Sequence, residues 1–67
     1  MRPEEVKVGV VFEWAYTPNF KVSAKMTIEE LTPDYHAWVR FNDSGTRNCL
    51  SVSTLLSDHA RLVEPAL

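Results

Sequence analysis

The residues whose types could do chemistry are few: adjacent carboxylates at Glu29 and Glu30, two histidines at His36 and His59, and one cysteine, Cys49. A general acid and its base must converge on one substrate, whereas neighbouring strand residues point to opposite faces. Glu29-Glu30 therefore reads as a structural pair at a bulge. His36 and His59 stand far apart and neither has a ligand partner at i+2 or i+4, so surface histidines are expected rather than a metal site, which needs about four ligands. Cys49 is expected beside Arg40 with no histidine to activate it as a nucleophile. Asp43 and Asp58 read as turn residues. Two glycines cannot build a phosphate-cradling loop. No catalytic residue, cofactor or metal is expected, and no small-molecule substrate.

The aromatic and cationic residues are the stronger lead. Trp38 stands between His36 and Arg40 on the water-facing phase of a strand, with Lys25 and Arg47 on the same phase of its neighbours. Tryptophan and arginine are enriched among the dominant contacts of protein interfaces. Trp38, Arg40, His36, Lys25 and Arg47, with Tyr16 from a loop, are the candidate binding residues. The alternative is that Trp38 merely covers the far side of the fold, and that Tyr16 and Phe20 close its end.

Those residues must be positioned by strands. Val22, Ala24, Met26 and Ile28 alternate with polar residues, and Ala37, Val39 and Phe41 alternate with His36, Trp38 and Arg40. A period of two describes antiparallel strands with one face buried. The first strand is expected at Val6 to Trp14, with Gly9 marking a bulge or close approach. The second runs from Lys21 to about Leu31 and breaks phase at Glu29-Glu30-Leu31. Placing Ile28 opposite Val39 and Met26 opposite Phe41 brings both apolar phases to one face, with Glu29 opposite Trp38 on the other.

A tight hairpin at Ser44-Gly45 then puts Asp43 opposite Thr46, Val39 opposite Leu50 and Ala37 opposite Val52. A rival register makes Gly45 a bulge and turns Cys49 inward; burying Leu50 and Val52 favours the first. After Val52, a serine-capped helical turn and a last strand at Ala60 to Glu64 compete with one amphipathic helix, and the strand reading is preferred. The expected core is Val8, Val10, Phe12, Val22, Ala24, Met26, Ile28, Ala37, Val39, Phe41, Leu50, Val52, Leu55 and Leu62.

Composition bounds the rest. The chain has 67 residues, 45% hydrophobic and 24% charged, enough for a single domain over 1-67 with a thin core. One cysteine excludes an intrachain disulfide and suits a reducing compartment, so a cytoplasmic location is expected. No apolar run has signal or membrane-spanning length, so no membrane is expected. A net charge of -2 disfavours nucleic acid as the partner, although bases stacking on Trp38 and Tyr16 with Lys21, Lys25, Arg40 and Arg47 on phosphates is the alternative. A protein partner or self-association is expected instead.

The pattern Val6-Lys7-Val8-Gly9, Trp38-Val39-Arg40, Leu50 to Leu56 and Arg61-Leu62-Val63 is similar to small SH3-like proteins of phages and other mobile elements. The resemblance implies an all-β fold, a five-stranded SH3-like barrel with a single helical turn before the last strand, and no agreed activity. Plasmid-borne trimethoprim-insensitive dihydrofolate reductases resemble this size and topology, but their Val-Gln-Ile-Tyr stretch has no counterpart in a chain without glutamine. Eukaryotic signalling SH3 domains differ as well, since their Ala-Leu-Tyr-Asp-Tyr start is missing. A non-enzymatic interaction module is the functional expectation.

Overall fold

A computed structural model describes residues 1–15 and 19–66. Among them five strands form one antiparallel sheet: β1 (Val11–Ala15), β2 (Ser23–Leu31), β3 (His36–Phe41), β4 (Arg47–Ser51) and β5 (Ala60–Glu64). Their order is β4-β3-β2-β1-β5. A 3-10 turn at Pro3–Glu5 precedes the sheet, and α1 (Val52–Leu55) separates β4 from β5. The all-β expectation holds, and so does a single helical turn before the last strand. The sheet is open: β4 and β5 are its two ends and share no ladder among the described residues.

Alternation sets the core. Phe12, Met26, Ile28, Ala37 and Val39 are each essentially inaccessible, and Val10, Val52, Leu55 and Ala60 complete the buried cluster. Ile28 faces Val39 and Met26 faces Phe41, as the two apolar phases require. Between Ile28 and Glu30 the register shifts, so that Glu29 is the extra residue of a bulge. Without that insertion Glu30 would continue the inward phase of Met26 and Ile28. The bulge turns Glu30 outward, opposite Trp38, and brings Leu31 opposite buried Ala37. The residue opposite Trp38 is thus Glu30 and not Glu29.

Three further expectations need correction. The first strand begins at Val11, because Gly9 adopts φ +94 in a turn closed by Val10 N–H donating to Lys7 O at 3.2 Å. Val8 lies in that turn and is 54% exposed, so it is not core. Val22 precedes β2 and is 68% exposed for the same reason: the ladder that would give it an inward face starts one residue later.

The third correction is the hairpin. Arg40 faces Arg47, Val39 faces Asn48, Trp38 faces Cys49 and Ala37 faces Leu50, two residues away from the expected register. A two-residue type I′ turn needs positive φ at both central positions, yet of Ser44 and Gly45 only Gly45, at φ +73, has it. The loop is therefore Asn42 to Gly45, with Gly45 N–H donating to Phe41 O at 2.8 Å and Phe41 N–H to Thr46 O at 2.9 Å. A shift of two preserves parity, so Leu50 still faces inward and Cys49 outward. Val52, no longer opposite Ala37, opens α1 and is buried there.

The turn after the sheet forms as its sequence suggests. Ser51 caps α1, its hydroxyl accepting from Ser53 N–H at 3.3 Å, and β5 then pairs antiparallel with β1. The Met1 amine donates to Leu55 O at 2.9 Å and Ala60 O at 3.0 Å, placing a cation against the carbonyl end of α1.

Candidate functional site

Two residues on adjacent strands define the outer face of the sheet. Arg40 on β3 and Arg47 on β4 are directly opposite, an arrangement in which like charges repel. Glu29 resolves the conflict from the bulge on β2. Its Oε2 accepts from Arg40 Nε at 2.7 Å and its Oε1 from Arg47 Nε at 2.9 Å. One carboxylate therefore holds two guanidiniums, each through its Nε. Arg40 Nη1 also donates to Gly45 O at 2.6 Å, which ties the strand to the hairpin loop.

Arg47 then lies over Trp38, with its guanidinium carbon 4.9 Å from the ring centroid. Trp38 is half-buried, so the indole is partly covered by this cation and partly available. Such a stack contributes about 0.5–1 kcal/mol at an exposed site. The Glu29 carboxyl is held below the usual range, first by the hydrogen bond from Arg40 and further by Arg47, against an opposing effect of desolvation.

The structure brings three of the expected binding residues together: Trp38, Arg40 and Arg47. Lys25 shares the outward face but sits one strand away from Trp38, opposite Glu13, and is exposed. His36 is engaged by its own turn, with Nδ1 3.0 Å from Asp34 O and 3.5 Å from the Asp34 carboxylate. The Asp34 carboxyl is in turn held low, first by a hydrogen bond from the Thr32 hydroxyl. Tyr16 lies outside the described residues. Glu29, set aside above as structural, is the centre of the cluster; its expected position near Trp38, Arg40 and a bulge was the available signal.

The remaining candidate chemistry disperses. Cys49 is exposed and opposite Trp38 rather than Arg40, with its N–H donating to Asn48 Oδ1 at 3.1 Å. His59 is half-buried, its Nδ1 2.8 Å from Ala15 O and its ring 5.2 Å from the Trp14 ring. It serves to bind β1 to the turn before β5. Among the described residues no three metal-ligating side chains cluster, and no helix is long and apolar enough to cross a membrane.

Two apolar hollows of about 270 Å³ each flank the core. One is lined by Trp14, Val22, Ala24, Met26, Phe41 and Leu50, with Ser23 and Asn48 at its polar points. The other lies between Pro3, Val6, Leu31, Tyr35 and Leu56. Against known protein families, curated proteins and solved structures, the chain matches none.

Proposed function

We propose that this chain is a non-enzymatic, SH3-like interaction module, of the kind carried by phages and other mobile elements. It acts in the cytoplasm and uses the outer sheet face around Trp38, Arg40 and Arg47 to contact a protein, a second copy of itself included. The observation that carries this reading is the Arg47 guanidinium stacked on Trp38 on the sheet face opposite the core. A tryptophan and an arginine locked together pre-organise a surface, so less side-chain freedom is lost when a partner arrives. The strand order with a helical turn before the last strand supports the SH3-like part of the reading, as closure of the sheet would complete it.

The test is Trp38→Ala, read by sedimentation and by affinity capture from the native host beside a thermal melt. Loss of association or capture with a retained cooperative melt is the expected result. An unchanged partner set, or a variant that no longer folds, overturns the assignment of this face. Nucleic acid is the second reading, supported by the same cations; binding that falls steeply with salt and depends on Trp38 would favour it.

A further inference from the structure

Resting on the reading of this chain as a protein-contact module, we infer that its partner is a second copy of itself, joined edge to edge by antiparallel pairing of β4 with β4 about a twofold axis at Cys49. The argument starts with the free edge of the sheet. Phe41 N–H donates to Thr46 O and Val52 N–H to Tyr35 O, and bonded pairs recur at every second residue of an antiparallel ladder. Thr46, Asn48, Leu50 and Val52 therefore face β3, and Arg47, Cys49 and Ser51 turn their backbone groups to the open side. Both backbone groups of Arg47, the Cys49 carbonyl and the Ser51 N–H take no partner among the described residues, while the Cys49 N–H is held by Asn48 Oδ1 at 3.1 Å. The other edge is already occupied. At β5 the Met1 amine donates to Ala60 O at 3.0 Å, Ala60 N–H donates to Ser57 O at 3.3 Å, and Pro65 has no N–H to offer.

Unfilled ladder groups accept an extended backbone, and the residues of β4 select its own copy. A pair centred on Cys49 sets Cys49 against Cys49 and Arg47 against Ser51 on both sides, so every open residue of the five-residue strand finds a partner. Centring on Asn48 or Leu50 leaves one open residue unpaired, and centring on Arg47 sets two like charges face to face. Arg47 is the one charged residue of β4, and in the Cys49 register it meets a serine. The pairing forms two bonds at the axis and one from Ser51 N–H to Arg47 O on each side, since Ser51 O serves α1 as its cap. Each Cys49 N–H exchanges Asn48 Oδ1 for the carbonyl of the second copy, so no donor is left unbonded.

A twofold axis normal to the sheet keeps both outer faces on one side. Trp38 lies opposite Cys49 on the ladder, so a row of Trp38, Cys49, Cys49 and Trp38 crosses the joint and brings two Arg47–Trp38 stacks onto one surface. The edge is thus continuous with the contact face proposed above. A joint of one short strand falls below the roughly 1,000 Å² of a stable interface, so the dimer is reversible and forms as concentration rises.

The experiment is sedimentation of the native protein over a concentration series, beside Cys49→Pro and Cys49→Lys. A concentration-dependent dimer is expected in the native protein and its loss in Cys49→Pro, which removes the central edge donor without touching the bonds to β3. Cys49→Lys, whose side chain points to water, sets two like charges at the axis and should weaken the dimer about fivefold; it carries the test should Cys49→Pro not fold. Mild oxidation reads the register. Hydrogen-bonded antiparallel partners lie about 5.5 Å apart at Cα, within the roughly 4.4–6.8 Å that a disulfide spans, so Cys49 should cross-link the native dimer. A chain carrying Cys49→Ser with Asp43→Cys, its thiol on the hairpin loop, should not. A native protein that stays monomeric overturns the inference, as do undiminished association in the folded variants and equal cross-linking from position 43. A monomer that loses its host partner in Cys49→Pro would mean that the edge takes a strand of another protein, which also overturns it. If no dimer forms while Trp38→Ala loses the host partner, edge pairing fails and the contact face stands; if Trp38→Ala keeps both dimer and host partner, the underlying reading fails.

Discussion

Glu29 links three strands through one carboxylate, and its charge state is the chemical variable of the outer face. Its folded pKa lies below its unfolded value near 4.5, so the charged form is the one the fold favours. By linkage, the stabilisation is fully present above the unfolded value and is lost as pH falls through the depressed folded one. Acid titration of the native protein and Glu29→Gln, each followed by chemical denaturation, should therefore show curves that are fully separated above the unfolded value and close as pH falls through the depressed folded one. Parallel curves throughout would mean that the carboxylate contributes nothing through ionisation. Trp38 belongs at the same scale. Its truncation removes a half-buried ring and an exposed cation contact, a stability change of about 1 kcal/mol, but a binding loss of about 2 kcal/mol or more if it is the hot spot of an interface.

Two turns set the registers of the elements, and each holds a residue at positive φ. Gly45 at φ +73 would place an added Cβ in open space, so Gly45→Ala meets only the backbone cost of the left-handed region. A loss of about 1 kcal/mol is expected, with Gly45→Asn costing less. Tyr35 is the reverse case: a bulky residue at φ +67 that is 59% exposed and buries little. Its conformation is enforced by Tyr35 N–H donating to Thr32 O and by Tyr35 O accepting from Val52 N–H at 3.0 Å. Tyr35→Asn should stabilise by about 0.5 kcal/mol or more, since asparagine tolerates the left-handed region better. Denaturant midpoints of both variants check the pair, and a gain for Gly45→Ala or a loss for Tyr35→Asn would contradict the argument.

The same turns explain what could be read in advance. The β2–β3 register was legible because Ile28, Val39, Met26 and Phe41 must share a buried face, and a slip of one residue would expose all four. The bulge was legible because Glu30 could not face the core. The β3–β4 register was not, since Gly45 serves both a two-residue and a four-residue loop and both keep Leu50 inward. That slip of two hid the contacts within the site, though not its members: it moves Arg47 opposite Arg40 and into reach of Trp38, and it removes Cys49 from Arg40. In β1 the run of valines conceals its start, because Val6 and Val8 fit the alternation whether or not Gly9 breaks the strand.

For the whole molecule the constraint is size. Sixty-seven residues imply a stability of only about 3–10 kcal/mol, and the buried cluster centres on Phe12 with Met26, Ile28, Val39 and Leu55. Phe12→Ala should cost about 3–5 kcal/mol, a large share of that margin. Circular dichroism is expected to show a broad or lost thermal transition; a melt shifted by only a few degrees would mean that the core is distributed differently. So thin a core also argues for keeping recognition on the outer face, where side chains can change with little cost to folding.

The central claim is that this outer face is where a partner binds, and chemical-shift mapping with the partner recovered from the native host tests it most directly. The account predicts changes concentrated at the Trp38 indole, the Arg40 and Arg47 side chains and their β3 and β4 neighbours, with the two apolar hollows quiet. Changes confined to the Pro3, Val6, Leu31, Tyr35 and Leu56 hollow, or to the one lined by Trp14 and Val22, with Trp38 and Arg47 unmoved, would contradict it.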